Sequence, residues 1–257
     1  PRIIERHAAV TPPPYARRPT EPIDDFDGHA QVLPTSRIDL TFQANKDLDQ
    51  LELLTDAGRV IPAAATNART WRASLTIDQP MAYRIRMVDT QGYDVTTAAA
   101  YSVTLRHDRP PRVSITAPGR DLHLNPDASV TFRAVARDDV GLASLKLLAE
   151  RGDSSQTFTI AAWSAQRDAE PVASVDAAVS VTHELSELSL APGSVLRYWA
   201  VAVDTNDVTG PGETATRKYT LIVLSPSQSQ RLLDDQLNDY AEVVRQLLKW
   251  QRQNRAE

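Results

Sequence analysis

The sequence predicts an all-β chain of two tandem β-sandwiches with a C-terminal α-helix. Three observations lead there. Short apolar segments alternate with polar residues at a period of two, the same order of segments runs twice, and the final stretch switches to a helical period. A length of 257 residues agrees with two domains, because ~100–150 residues per domain is typical.

Residues 1–29 read as a Pro-rich linker. Thr11-Pro12-Pro13-Pro14, Pro19 and Pro22 favour an extended backbone, since proline fixes φ and donates no hydrogen bond. Arg17-Arg18 within it reads as a solvated tether. The first sandwich is expected over residues 30–108. Ile38, Leu40, Phe42 and Ala44 alternate with polar residues, as on a half-buried strand, and Leu51 and Leu53 continue the pattern. Asp56-Ala57-Gly58 supplies a turn. Trp71, Ala73, Leu75 and Ile77 form the next strand, then Met81, Tyr83, Ile85 and Met87, and Tyr101, Val103 and Leu105 close the set.

Arg109-Pro110-Pro111 breaks the pattern as an interdomain joint, and the second sandwich is expected over residues 109–224. Its strands are read from Val113 and Ile115, Val130 to Ala136, Leu145 and Leu147, Phe158 and Ile160, Val179 and Val181, Tyr198 to Val203, and Tyr219 to Val223. The two halves match residue by residue. Leu40-Thr41-Phe42 recurs as Val130-Thr131-Phe132, and Leu48, Leu51, Leu53 and Leu54 recur as Leu142, Leu145, Leu147 and Leu148. Val88-Asp89-Thr90 recurs as Val203-Asp204-Thr205, with Tyr83 matching Tyr198 and Tyr101 matching Tyr219. The main insertion between the copies is Arg151–Pro171. Short alternating strands in blocks of ~100 residues are the sequence signature of an immunoglobulin-like sandwich. Tyr83 and Tyr198 are expected in the cores, each hydroxyl capping a nearby backbone group.

Residues 225–257 are expected as an amphipathic helix, the start of a longer helical region. Ser225 suits the N-cap and Pro226 the first helical position. Leu233, Leu237, Tyr240, Val244 and Leu247 recur at steps of four and three, and Leu232, Val243 and Trp250 widen the face. That face needs a partner, which is the adjacent domain, a second chain or sequence outside this one, and a protein partner or a second copy of the chain is expected there. Leu233, Leu237, Tyr240, Val244, Leu247 and Trp250 are the candidate interaction residues.

Composition narrows the function. With 28 basic and 33 acidic residues the net charge is −5, which argues against a nucleic-acid partner, since phosphate neutralisation needs a basic surface. The absence of cysteine excludes disulfides and thiolate zinc sites. No apolar run approaches the ~20 residues of a membrane span, and no signal-peptide pattern is present. The chain starts at Pro1 and stops at Glu257 inside a helical pattern. It is therefore read as part of a longer protein, with any membrane anchor or export signal outside it.

Several loose motifs point one way. They are Pro12-Pro13-Pro14-Tyr15, Ala44-Asn45-Lys46, Pro110-Pro111-Arg112-Val113, Asn125-Pro126-Asp127, Ala136-Arg137-Asp138-Asp139-Val140-Gly141-Leu142 and Leu190-Ala191-Pro192-Gly193. In this order the chain resembles an uncharacterised family of large bacterial membrane proteins, frequent in planctomycetes and also found in alphaproteobacteria. The resemblance implies N-terminal membrane helices, then extracytoplasmic immunoglobulin-like domains, then a long charged helical region. It implies no catalytic residues.

Candidate chemistry is sparse. His183-Glu184-Leu185-Ser186-Glu187 has glutamate where a zinc-protease helix needs its second histidine, and the segment alternates like a strand. Asp138, Asp139, Asp204 and Asp207 lie at strand-end loops of the second domain. They are candidate calcium ligands, although aspartates in such loops commonly accept turn hydrogen bonds instead. Arg151-Gly152-Asp153 reads as a turn. Trp71 and Trp199 fall in strand patterns and are expected in cores, leaving Trp163 as a candidate glycan platform. No nucleotide loop, nucleophile elbow or other catalytic motif is present, and no cofactor is expected. The chain is read as a non-catalytic, periplasmic or extracytoplasmic module, a spacer and assembly element tethered by segments outside it. Rival readings are a cell-wall glycan-binding module and an accessory domain of a larger enzyme.

Overall fold

In the computed structural model, residues 1–152, 154, 156–165, 172–188 and 190–254 are described, without the side chains of residues 232, 233, 235, 236 and 252–254. The first half contains β1 (Ile3–Thr11), β2 (Glu21–Pro22), β3 (Ala30–Val32), β4 (Ser36–Ala44), β5 (Leu48–Thr55) and β6 (Val60–Pro62). It continues with β7 (Ala64–Ala65), β8 (Thr70–Ile77), β9 (Met81–Asp89), β10 (Asp94–Thr96) and β11 (Tyr101–Leu105). One sheet has the order β2-β1-β4-β8-β7. The other runs β3-β11-β9-β5-β6, with β10 beside β9.

The second half contains β12 (Arg112–Ala117), β13 (Leu122–Leu124), β14 (Ser129–Arg137), β15 (Leu142–Arg151) and β16 (Thr157–Ser164). Then come β17 (Asp176–Glu184), β18 (Val195–Asp204), β19 (Glu213–Ala215) and β20 (Tyr219–Val223). A β12-β14-β17 sheet faces a β13-β20-β18-β15-β16 sheet, with β19 beside β18. Both halves are immunoglobulin-like β-sandwiches, and among the described residues each contains one parallel pair, β3 with β11 and β13 with β20.

The repeat read in the sequence is a repeat of register. Leu48 faces Asp89 and Leu142 faces Asp204, and the register slips immediately after each leucine. Tyr83 lies opposite Tyr101, and Tyr198 opposite Tyr219. The Tyr83 hydroxyl donates to the Gly28 carbonyl at 3.1 Å, and the Tyr198 hydroxyl to the Arg120 carbonyl at 2.7 Å. Gly28 has φ +110°, and a Cβ there would enter the Tyr101 ring, so only glycine suits this cap. Phe42 and Phe132 are fully buried in separate cores. Phe132 meets Tyr198 edge-on with ring centroids 5.1 Å apart.

Residues 1–29 are not a linker. Strand β1 pairs with β4 along its length, from Ile3 opposite Ala44 to Thr11 opposite Arg37. The Pro-rich stretch then turns through a 3-10 helix, Pro14–Ala16, that buries Tyr15 and Ala16. Arg18 is no solvated tether either, since its guanidinium donates to the Asp139 carbonyl at 2.7 Å. Proline here sets a turn that the second sandwich covers.

The C-terminal helix α1 (Pro226–Asn254) begins where expected. Gln228 N–H donates to Ser225 Oγ at 3.3 Å, and Ser225 N–H to Gln228 Oε1 at 2.9 Å, a reciprocal capping box. The Ser229 hydroxyl donates to Asn125 Oδ1 at 2.8 Å and ties the first turn to the second sandwich. Among the described residues, no helix is long and apolar enough to cross a membrane.

Candidate functional site: a carboxylate cluster at the joint

The two sandwiches meet over a small apolar contact formed by Tyr15, Ala16, Leu33 and Val140, all buried. Beside it converge three carboxylates from three chain segments. Asp138 follows the last residue of β14, Asp204 ends β18, and Asp108 stands in the connector after β11. One oxygen of each lies within 4.8 Å of the others.

Backbone groups hold two of the three. Asp138 Oδ2 accepts from Val140 N–H at 2.8 Å and Gly141 N–H at 2.7 Å. Asp204 Oδ1 accepts from Asn206 N–H at 3.0 Å, and Gly212 N–H reaches both Asp204 oxygens at 3.0 Å. Gly212 permits this approach. A Cβ there would overlap Asp204 Oδ2 and sit 3.0 Å from Pro110 Cα.

Both Asp204 oxygens are thus held, whereas Asp138 Oδ1 has no partner. Asp138 is 8% exposed and Asp204 3%. Asp138 Oδ1 and Asp139 Oδ1 are buried and accept no hydrogen bond, and both oxygens of Asp108 are buried as well. The Tyr15 hydroxyl stands as a hydrogen-bond donor beside the Asp108 carboxyl. Burial, followed by repulsion from Asp138 and Asp204, pushes the Asp108 pKa up to about 6. Burial also raises Asp138 and Asp204, the backbone hydrogen bonds opposing it. Among the described residues, no lysine or arginine nitrogen comes within 4.0 Å of these three carboxylates. The nearby Arg106 guanidinium turns to Asp139 Oδ2, at 3.8 Å.

The first sandwich treats the same position differently. Asp89, the counterpart of Asp204, accepts from Gln91 N–H at 3.0 Å and Tyr93 N–H at 2.9 Å. Its other oxygen meets the Lys46 ammonium. That contact comes first among the causes holding the Asp89 carboxyl below its ordinary range. In the aligned repeat Ala44, Asn45 and Lys46 become Asp138, Asp139 and Val140. The second sandwich has thus lost the internal cation and gained two carboxylates.

Of the four aspartates expected near these loops, the structure brings Asp138 and Asp204 together, with Asp139 alongside. Asp207 is exposed and outside the cluster. Asp108 was not anticipated. It lies in a connector without strand periodicity, and the one available signal was an acid immediately before Arg109-Pro110-Pro111. Trp163 is no open platform, because it packs against the second core. Trp199 was expected in the core but faces outward, half-buried beneath the Lys218 ammonium 4.3 Å from its ring centroid. Trp71 is buried as expected. His183 sits on β17, its Nδ1 3.3 Å from Glu187 Oε2, so the segment holds no helical zinc motif. Asp153 and residues 166–171 lie outside the described residues.

Fold and joint together define a tandem immunoglobulin-like module with a carboxylate-rich hinge. No protein-family model matches the chain, and no curated protein matches it. Among solved structures it is similar to the fibronectin(III)-like modules of CbhA from Clostridium thermocellum, at 15% identity and TM-score 0.30, covering 79% of this chain and 93% of that one. It is also similar to the IG1+IG2 pair of DIP-gamma, at 11% identity and TM-score 0.27, covering 77% and 94%. A third likeness is to a 1.5-MDa bacterial ice-binding adhesin, at 14% identity and TM-score 0.36, covering 73% and 58%. At these values the likeness carries nothing about function, and the fold class rests on the sheets described above.

Proposed function

We propose that the chain is an extracytoplasmic structural and protein-interaction module of a membrane-anchored bacterial envelope protein. The two sandwiches act as a spacer, and α1 acts as the assembly element. The family resemblance read in the sequence supports the location, with membrane contact made only by segments outside this chain. One observation carries the functional part. Leu237, Tyr240, Val244, Leu247 and Trp250 are more than half exposed along one helix, from 53% at Val244 to 71% at Tyr240. An apolar stripe of this kind is uncommon on a monomer and marks an interaction surface.

Sedimentation of the chain with and without residues 226–257 tests the reading. The long form is expected to associate in a concentration-dependent manner while the short form stays monomeric. Monomeric behaviour of both forms at high concentration would remove self-assembly through the helix.

A further inference from the structure

We propose that Asp108, Asp138 and Asp204 bind one calcium ion at the joint, and that the ion fixes the orientation of one sandwich against the other. The first support is the set of buried oxygens. Buried polar groups in folded proteins are nearly always satisfied, and an exception calls for an explanation such as a bound ion. Here Asp138 Oδ1, on a side chain 8% exposed, is buried without a partner and points to a ligand, and both Asp108 oxygens are buried in the same cluster with the Tyr15 hydroxyl beside them. Charges packed this way in a poorly solvated joint repel one another unless a counter-charge is supplied.

The second support is internal to the chain. At the equivalent position of the first sandwich the counter-charge is the Lys46 ammonium on Asp89. The second sandwich has Val140 there, fully buried, and among the described residues no side-chain cation of its own on the three carboxylates. A cation from solvent completes the same electrostatic arrangement.

Donor chemistry selects the ion. Among the described residues the site offers carboxylate oxygens and no nitrogen or sulfur ligand, which suits a hard cation rather than zinc. Asp108 presents two buried oxygens, able to bind bidentately once the Tyr15 hydroxyl turns aside, next to single oxygens of Asp138 and Asp204. Calcium accepts six to eight oxygens in flexible geometry, with water filling the remainder, whereas magnesium demands a near-ideal octahedron. Three carboxylates against a divalent charge leave the site filled but not over-neutralised. The ligands also straddle the joint, since Asp108 belongs to the connector and the other two to the second sandwich. An ion held by all three therefore ties the connector down.

Calorimetric titration and thermal melting of the full, metal-stripped chain at neutral pH test the binding. One calcium per chain is expected, with a melting temperature that rises on addition and falls back with chelator. Asp108→Asn and Asp138→Asn are each expected to weaken binding by roughly tenfold or more, and Asp207→Asn to leave it unchanged. The Tyr15 hydroxyl beside Asp108 can donate equally to the amide oxygen of Asp108→Asn. Asp108→Asn should thus melt no lower than the parent without calcium, which separates a ligand from a structural residue. Absence of binding at about 10 mM calcium, above the range of extracellular calcium modules, would overturn the site. So would full binding by Asp108→Asn, and an equal response to magnesium would overturn the choice of ion. Because the chain has no cysteine, spin labels on Gln79→Cys and Gln156→Cys report the orientation cleanly. Their distance distribution should narrow with calcium in the parent and stay broad in Asp108→Asn. An unchanged distribution in a calcium-loaded parent would overturn the restraint of the joint.

Discussion

Asp89 and Asp204 occupy one position of a repeated strand pair, yet their carboxyls shift in opposite directions. The difference comes from what stands opposite. Lys46 contributes an ammonium in the first sandwich, and Val140 contributes only bulk in the second. A carboxyl whose folded pKa is depressed adds stability above its unfolded value, near 3.8 here, and loses it as pH falls through the folded value. Lys46→Met should therefore lower the melting temperature of the first sandwich at neutral pH, with the gap to the parent closing in acid. A gap independent of pH would show that Lys46 acts through packing instead. Gly212→Ala is a second test at this scale. The added methyl meets Asp204 Oδ2 and Pro110, and overpacking of this kind costs about 1–3 kcal/mol, measurable by denaturant unfolding. The exchange of Lys46 for Val140 was legible once the two copies were aligned. Asp108 was not, because an acid in a Pro-rich connector has no periodicity to show where it points.

At the scale of elements, strands with one buried face were easy to read and strands at the margin were not. In β4 every second residue from Ser36 to Ala44 is buried, so the pattern is visible in the letters. In β1 only Ala8 is buried, and Arg6, His7 and Glu5 give no alternation, so pairing with β4 had no sequence signal. Trp199 misled for a related reason. Its neighbours Tyr198 and Ala200 point into the core, and the period of two turns the larger ring outward. Phe42 in β4 and Phe132 in β14 are among the largest fully buried side chains of their cores. Phe42→Ala and Phe132→Ala should each destabilise their own sandwich by about 3–5 kcal/mol, seen as one early transition in melting curves with the other transition retained. On α1, Tyr240→Glu with Leu247→Glu should keep helical circular dichroism while abolishing association in the ultracentrifuge. Loss of helicity would instead mean that the face supports the helix itself.

For the whole molecule, the decisive feature is that the N-terminal turn belongs to the joint. Tyr15 and Ala16 pack on Val140, Arg18 grips the Asp139 backbone, and Arg106 reaches the Asp139 side chain. Two sandwiches joined only by Arg109-Pro110-Pro111 would swivel. Contacts from residues 15–18 bring a second segment of the first half to the same loop, a restraint that sequence reading had assigned to a free tether.

The parallel pairing of β13 with β20 has a mechanical consequence. Leu122, His123 and Leu124 lie beside Leu221, Ile222 and Val223, with both strands pointing the same way. Tension applied between the ends of the second sandwich pulls these two strands along their length in opposite directions. The ladder is then loaded in shear, and its hydrogen bonds share the force instead of opening one after another. Stretched singly in a force spectrometer, this sandwich should yield in one abrupt rupture, and a long low-force plateau would contradict that geometry. A sandwich built this way transmits a pull arriving from its C-terminal end without lengthening until it fails.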